Sequence, residues 1–441
     1  MRRIESVIYS YQKLSIMKIK VAYICHYSSP DLRTKLPLRL SLSDKFVLAA
    51  SRKPITTNVD QFAIWNENAI NEMKSHCEQV EFHVIAPYPY LKKHLVEWSE
   101  DGISYHIFKD RSYLNSFFQR NVFKAIKLKH KKNRTAIKEI LQSINPDVVH
   151  LVGAENPYYS LCALDISKNI PLIVQLQTLM IEPDFETKYP ISHQQYVYRS
   201  NIERAVLERA DFIGTKVKHF IEVVRDIKNN AKFMDITLAV AEPIIKEEDE
   251  KPQVVIYYAK DISKAADWAI EAFAFVHKNH PEVTLKIVGG YTPLYKQQLD
   301  ERINQLGIME SVRFTGMLPT HEDVINEVRK SRYALLPIKA DYVAGTIREA
   351  MSAGVPVVTN ITPGTPALNK NRKSVLLSEA GDFESMADNI CRLIEDDNLY
   401  TEIKENASVT ISERPTNCEV VNHWAECYQN IVSGQYSRDS R

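Results

Sequence analysis

Short apolar runs alternate along this chain with longer stretches whose apolar residues keep helical spacing. Lys18 to Cys25 (KIKVAYIC) carries Ile19, Val21, Ala22, Ile24 and Cys25 in nearly continuous order, the mark of a strand buried on both faces. Val80 to Ala86, Ile103 to Phe108, Asp147 to Val152 (DVVHLV), Pro171 to Leu176 and Asp211 to Thr215 (DFIGT) read the same way. Between them, Ile137, Ile140, Leu141 and Ile144, and then Ile202, Val206 and Leu207, predict helices. Strands alternating with helices over this distance predict a doubly wound parallel sheet.

The alternation breaks at Glu242 to Gln253 (EPIIKEEDEKPQ), an acidic, proline-bounded stretch that reads as a solvated linker rather than a metal cluster. It then restarts. Val254 to Ala259, Thr284 to Val288, Val312 to Phe314, Tyr333 to Pro337, Pro356 to Thr359 and Val375 to Leu377 predict strands. Ala266 to His280, Leu294 to Leu306 and His321 to Lys330 predict helices. A last helix follows Pro415, with Val421, Trp424, Tyr428 and Ile431 on one face. The pattern predicts domains at 17–241 and 254–415, a linker at 242–253 and a terminal helical segment at 416–441.

With 441 residues, two hydrophobic cores are the expectation. The 56 basic and 55 acidic residues nearly cancel, which gives no support for nucleic-acid binding. Six scattered cysteines without a C-x-x-C pair predict a reducing, cytoplasmic setting and no structural zinc. No apolar run reaches the ~18–20 residues of a membrane span. Residues 1–16 lack the pattern of a signal peptide, and Met17, directly before the first strand, is an alternative start to Met1. Tyr113 to Arg134 sets Phe117, Phe118 and Phe123 ahead of a run of lysines, which fits either an anionic membrane surface or a solvated basic face.

The candidate chemistry gathers in the second domain. Asp341 to Thr359 (DYVAGTIREAMSAGVPVVT) predicts a loop, a short helix beginning at Gly345-Thr346, and a strand. A helix N-terminus at the carboxyl end of a parallel strand favours anions, because its first N–H groups are unpaired. Asp341 and Glu349, eight positions apart, would repel a bare phosphate but suit hydroxyl groups attached to one, as on a sugar or ribose diphosphate. Lys260 and Lys264, four apart after the domain's first strand, could both reach one diphosphate. Gly289-Gly290 and Gly316 end the next two strands and allow close approach to the backbone. By contrast, the loop from His26 to Leu36 has no glycine and cannot be a dinucleotide fingerprint.

These motifs resemble the donor-binding domain of the GT-B nucleotide-sugar glycosyltransferases, specifically retaining family 4. The resemblance rests on VVIYYAKDISKAADWAIEAFAFV, LKIVGGY, VRFTG and DYVAGTIREAMSAGVPVV, in that order. It is continuous over 254–415 and weaker over 17–240, where DVVHL and NIERAVLERADFIGT carry it. It implies two facing Rossmann-like domains, with the C-terminal helix crossing back to the first. It further implies that Lys264 and Lys260 hold the donor diphosphate and that Glu349 binds the ribose diol. Asp341 would touch the donor hexose, the backbone at Gly345 and Thr346 the sugar or phosphate, and the Gly316–Met317 turn the nucleobase. Gly289 and Gly290 would line the same pocket.

The implied activity is metal-independent hexosyl transfer with retention, from a UDP- or GDP-linked sugar to a glycan or lipid-linked acceptor. Cell-surface polysaccharide or glycolipid synthesis on the inner face of the cytoplasmic membrane would be the setting. No cofactor is implied, since the nucleotide sugar is a substrate. The chain departs from the family at Asp341, shorter than the usual glutamate, and at Tyr342-Val343-Ala344, where the family has Gly-Phe-Gly. Those departures bear on hexose identity. His150 is either a catalytic-cleft residue or a core histidine. A sugar-nucleotide epimerase or a catalytically idle GT-B subunit are the competing functions.

Overall fold

The computed structural model describes residues 18–50, 55–57, 59, 61–76, 78–111, 130–182, 185–188, 191–240, 251–339 and 343–437. Asp341, Tyr342, residues 113–129 of the aromatic-basic stretch, residues 242–250 of the linker and the N-terminal segment around Met17 lie outside them. The chain forms two compact units, one of Met1–Val240 with Thr416–Arg441 and one of Ala241–Pro415.

The first unit is built on a sheet of β1 (Ile19–Ile24), β2 (Val80–Tyr88), β3 (Leu95–Glu100), β4 (Ile103–Lys109), β5 (Val148–Val152), β6 (Leu172–Gln175), β7 (Phe212–Gly214) and β8 (Phe233–Met234). Their order is β3-β4-β2-β1-β5-β6-β7-β8, parallel except for β3 against β4. The second unit has β9 (Val254–Asp261), β10 (Thr284–Gly290), β11 (Val312–Gly316), β12 (Tyr333–Leu335), β13 (Val357–Asn360) and β14 (Leu376–Ser378). Its order is β11-β10-β9-β12-β13-β14, parallel throughout. Helices cover both faces of each sheet, so β1 and β5 have buried cores on either side and read as unbroken apolar runs.

Among the elements that the sequence reading did not give, two have clear local causes. The polar loop after β1 contains a helix, Pro30–Lys35, started by the Ser29 hydroxyl, which accepts from the Leu32 N–H, with Pro30 in the first turn. β3 is an edge strand joined to β4 through Asp101 and Gly102, both at positive φ (49° and 79°), the backbone that an Asp-Gly hairpin turn requires. Its half-exposed residues carry too little apolar character to stand out as a run.

The C-terminal helix Asn417–Val432 belongs to the first unit and buries Val421, Trp424, Tyr428 and Ile431 in its core. Thr416 caps it reciprocally with Glu419, satisfying two otherwise unpaired backbone donors. This helix explains His150. The ring is fully enclosed; its Nδ1 lies 2.7 Å from the Tyr428 hydroxyl and its Nε2 3.1 Å from Gln175 Oε1. The Trp424 ring meets it edge-on at 4.9 Å. His150 is therefore a core residue locking β5 to the last helix, and a place among the catalytic groups is corrected. Its position inside a strand covered on both faces is the reason.

Burial holds the His150 pKa down at about 3. A folded pKa below the ordinary histidine value contributes stability that is present above about pH 6.5 and lost as pH falls toward the folded value. His150→Gln is expected to destabilise the protein at pH 7.5. Because glutamine has nothing to titrate, that deficit should shrink by about 1.4 kcal/mol per pH unit below 6.5. Paired thermal melts at pH 7.5, 6 and 5 check it; a deficit constant with pH contradicts it.

Candidate functional site

The carboxyl edge of the second sheet is where the candidate residues meet. Lys260 is exposed near the end of β9, and Lys264 is exposed on the single 3-10 turn Ile262–Lys264. That turn is tied at both ends. The Asp261 carboxylate accepts from the Ser263 N–H at 3.0 Å, and the Tyr257 hydroxyl accepts from the Ala265 N–H at 3.1 Å. The ammonium groups are thus carried by a fixed backbone while remaining open to solvent.

Beside β9 stands the helix Gly345–Ser352. Its N-cap is Ala344, which makes no side-chain cap, and the Ile347 N–H turns back to the Ala344 carbonyl at 3.1 Å. The Tyr258 hydroxyl of β9 donates to the Thr346 carbonyl at 2.6 Å and fixes this first turn to the lysine-bearing strand. Glu349 is half-buried on the helix, with Oε1 3.4 Å from His321 Nε2. His321 opens the helix His321–Arg329, which follows the Gly316–Met317 turn, so the Glu349 carboxylate and that turn belong to one neighbourhood.

The start of the loop that leads to the helix is anchored twice. The buried Asn360 amide donates to the Ile338 carbonyl at 3.0 Å, and its oxygen accepts from the Ile338 N–H at 2.6 Å, copying a strand pair. Lys339 donates to the Asp267 carboxylate at 2.7 Å. Asn360→Ala would leave both Ile338 backbone groups unpaired in a buried place, at a cost of about 2–3 kcal/mol. It is expected to lower the thermal midpoint and weaken ligand binding together; a denaturant melt alongside a titration tests that coupling.

The glycines divide by purpose. Gly289 has φ +138°, and a Cβ there would overlap the Ala259 carbonyl oxygen of β9. What approaches Gly289 closely is the chain itself, not a ligand, because β10 and β9 shift register at this point. At Gly290 an added Cβ would stand 2.7 Å from Met317 Cε and 3.2 Å from the Lys260 carbonyl oxygen, so this glycine lets the three strand ends close together. Gly316 needs its φ of +73° for the turn, and Gly345 has open space around it. The structure thus brings Lys260, Lys264, Gly290, Met317 and the Gly345-Thr346 turn to one edge of one sheet, with Glu349 on the adjoining helix.

Three residues of this edge escaped the sequence reading: Tyr258, His321 and Asn360. Tyr258 sits inside a strand run and Asn360 closes one, where a single polar atom gives no periodic signal. His321 was legible as the residue after the helix-capping Thr320, which pairs with Asp323. Such an edge can grip an anion by charge and backbone N–H groups while a carboxylate accepts from hydroxyls.

Residues 240–410 match the family model for glycosyl transferases group 1. Among solved structures, the HepE protein of Anabaena, determined with UDP and glucose, aligns over 93% of this chain and 99% of its own at a TM-score of 0.59, with 14% identity. The fold is GT-B. Curated relatives of this GT-B chain include an exopolysaccharide phosphotransferase of Streptomyces coelicolor, 30% identical over 172 residues. That match spans 38% of this chain but only 18% of the relative's length. Mannosylfructose-phosphate synthase of Agrobacterium fabrum is 22% identical over 329 residues, covering 71% of this chain and 68% of the relative.

Proposed function

We propose that the chain transfers a hexosyl unit from a UDP- or GDP-linked sugar to a hydroxyl of a glycan or lipid-linked acceptor, with retention at the anomeric carbon. The observation that carries this reading is the exposed Lys260–Lys264 pair fixed beside the N-terminus of the helix Gly345–Ser352, with Glu349 in the same helix. The match of residues 240–410 to the group 1 family supports it. So does the UDP and glucose bound by the Anabaena neighbour.

In this reading Lys260 and Lys264 neutralise the donor diphosphate, and the helix N-terminus at Gly345 and Thr346 adds its dipole. Glu349 accepts hydrogen bonds from the ribose diol, while the Gly316–Met317 turn lies along the base. Asp341 contacts the hexose. Charge building on the leaving phosphate is held by the two ammonium groups without a metal, and that phosphate takes the proton of the acceptor hydroxyl as it attacks the same face. Cell-surface polysaccharide or glycolipid synthesis is the proposed setting. A place on the inner face of the cytoplasmic membrane, through the basic stretch at 113–134, goes with it.

Two assays test this. Purified protein incubated with nucleotide sugars and candidate acceptors should release nucleoside diphosphate only when an acceptor is present. Release without acceptor, or conversion of the sugar itself, would favour an epimerase instead. Addition of EDTA is expected to leave the rate unchanged; a loss restored by magnesium would remove the metal-independent mechanism.

A further inference from the structure

Four titratable side chains form one hydrogen-bonded row across three strands of the first sheet. Glu81 and His83 alternate on β2, His106 stands on β4, and Glu97 lies opposite His106 on the edge strand β3. Their contacts run in series. His83 Nε2 lies 3.0 Å from Glu81 Oε1, His83 Nδ1 3.0 Å from His106 Nε2, and His106 Nδ1 2.6 Å from Glu97 Oε1. The two imidazole rings stack with centroids 5.3 Å apart. Both side chains are nearly enclosed, at 11% and 12% exposure, while the two carboxylates reach water.

Three contacts in series need three protons, since each hydrogen bond takes one donor. Ionised carboxylates supply none, and two neutral imidazoles supply two. With only two, one contact would set bare lone pairs against each other at 3.0 Å or less. Half-exposed carboxylates facing N–H donors are acceptors at neutral pH, so the third proton belongs to the rings. We propose that His83 and His106 share one extra proton near neutral pH, and that this proton latches the edge strand β3 through β4 to β2 as a pH-sensitive device. The singly protonated pair donates outward to both carboxylates and once between the rings, and every partner is matched.

A pair coupled in this way takes its first proton more readily than an ordinary histidine and resists a second. Burial holds the His83 pKa below the ordinary value; the Glu81 hydrogen bond opposes it, and charge on His106 and Lys20 adds to it. Lys20, on β1, has its Nζ 4.0 Å from Glu81. The helix Lys131–Ile144, packed against β1, β2 and β4, buries Asn133 and the aliphatic Ile137, Ile140, Leu141 and Ile144, with no charge among them. Stability from the latch is therefore greatest near the ordinary histidine pKa and fades on both sides. Rising pH strips a proton that the folded pair held tightly. Falling pH forces a second proton onto His83, whose folded pKa is lowered. The turn end of the hairpin is pinned separately, by Lys74 on Asp101 at 3.0 Å and by Lys35 on Glu100, so the latch governs the rest of β3.

The test uses the full chain labelled with nitrogen-15 at histidine, together with Glu97→Gln and His106→Gln. Imidazole spectra of the wild type at pH 6.5 should show three ring N–H groups on this pair, one of them coupled to nitrogens of both rings. The difference in thermal midpoint between wild type and His106→Gln should be largest near pH 6.5 and fall by half or more at pH 5 and at pH 8.5. Glu97→Gln keeps an acceptor for His106 but removes the charge that favours the shared proton, so its high-pH loss should begin about one pH unit lower. Amide exchange over Leu95–Glu100, corrected for its intrinsic pH dependence, should quicken about tenfold from pH 6.5 to pH 8.5 in the wild type. Two ring N–H groups on the pair at pH 6.5 would overturn the proposal. So would a midpoint difference that is flat with pH, as for a purely structural contact, or one that changes in a single direction, as for two independent histidines. If His106→Gln does not fold, the wild-type spectra and the Glu97→Gln shift decide between the same outcomes.

Discussion

Trp424→Ala is expected to cost the first unit about 3–5 kcal/mol, the range for removing a large buried aromatic ring from a core. The indole is 1% exposed, lies 5.9 Å from the Tyr23 ring and 4.9 Å from His150, and donates through Nε1 to the Thr237 carbonyl at 3.2 Å. One truncation thus opens a cavity between β1, β5 and the last helix and leaves a backbone acceptor without its partner. The expected result is a large fall in the denaturant midpoint. Trp424→Phe should recover most of the packing but not the hydrogen bond, leaving a deficit of about 1–2 kcal/mol. A truncation before Thr416 should behave worse than either, because it strips the whole helix Asn417–Val432 from the core that Val421 and Tyr428 help to fill. If Trp424→Ala unfolds at the wild-type midpoint, the helix does not carry the stability assigned to it.

The second large effect falls on catalysis. Each charge-assisted hydrogen bond to a desolvated diphosphate is worth about 1.5–3 kcal/mol, or roughly ten- to a hundredfold in rate or affinity. Lys264→Ala should therefore lower sugar transfer by about that factor, and Lys260→Ala combined with Lys264→Ala should lower it further, though not by the product of the two single losses, because both ammonium groups share one diphosphate. Both side chains are exposed, so the thermal midpoint should hardly move. Lys264→Arg should recover only part of the rate, since a planar fork does not reproduce a compact ammonium on a 3-10 turn. Initial rates at saturating acceptor, with melts on the same preparations, separate this from misfolding. Near-normal turnover of the double variant would remove both lysines from the reaction.

Much of this architecture could be read from the residues, and the reasons are physical. Buried parallel strands such as β5 and β9 are nearly continuous apolar runs, and no competing element has that signature at that length. The lysine loop, the glycine turns and the Gly345 helix were visible because each sits at a strand end, where polar and small residues interrupt the run. Three things were hidden. β3 is half exposed along its whole length, so it carries no run to detect. The role of Gly289 depends on the Ala259 carbonyl of a neighbouring strand, a contact that spacing along the chain cannot reveal. His150 lies in a strand that alternation alone cannot orient, and its two partners, Gln175 and Tyr428, are distant in sequence.

The central claim is that the second unit binds a nucleotide sugar through Glu349 and the lysine pair. Isothermal titration of UDP-glucose, UDP-N-acetylglucosamine and GDP-mannose into the full chain and into Glu349→Ala tests it most directly. The account predicts one-to-one binding of at least one donor, weakened by about tenfold or more in the variant through loss of a charged hydrogen bond to the ribose. Equal affinity in both proteins, or no binding of any nucleotide sugar by the wild type, would contradict it.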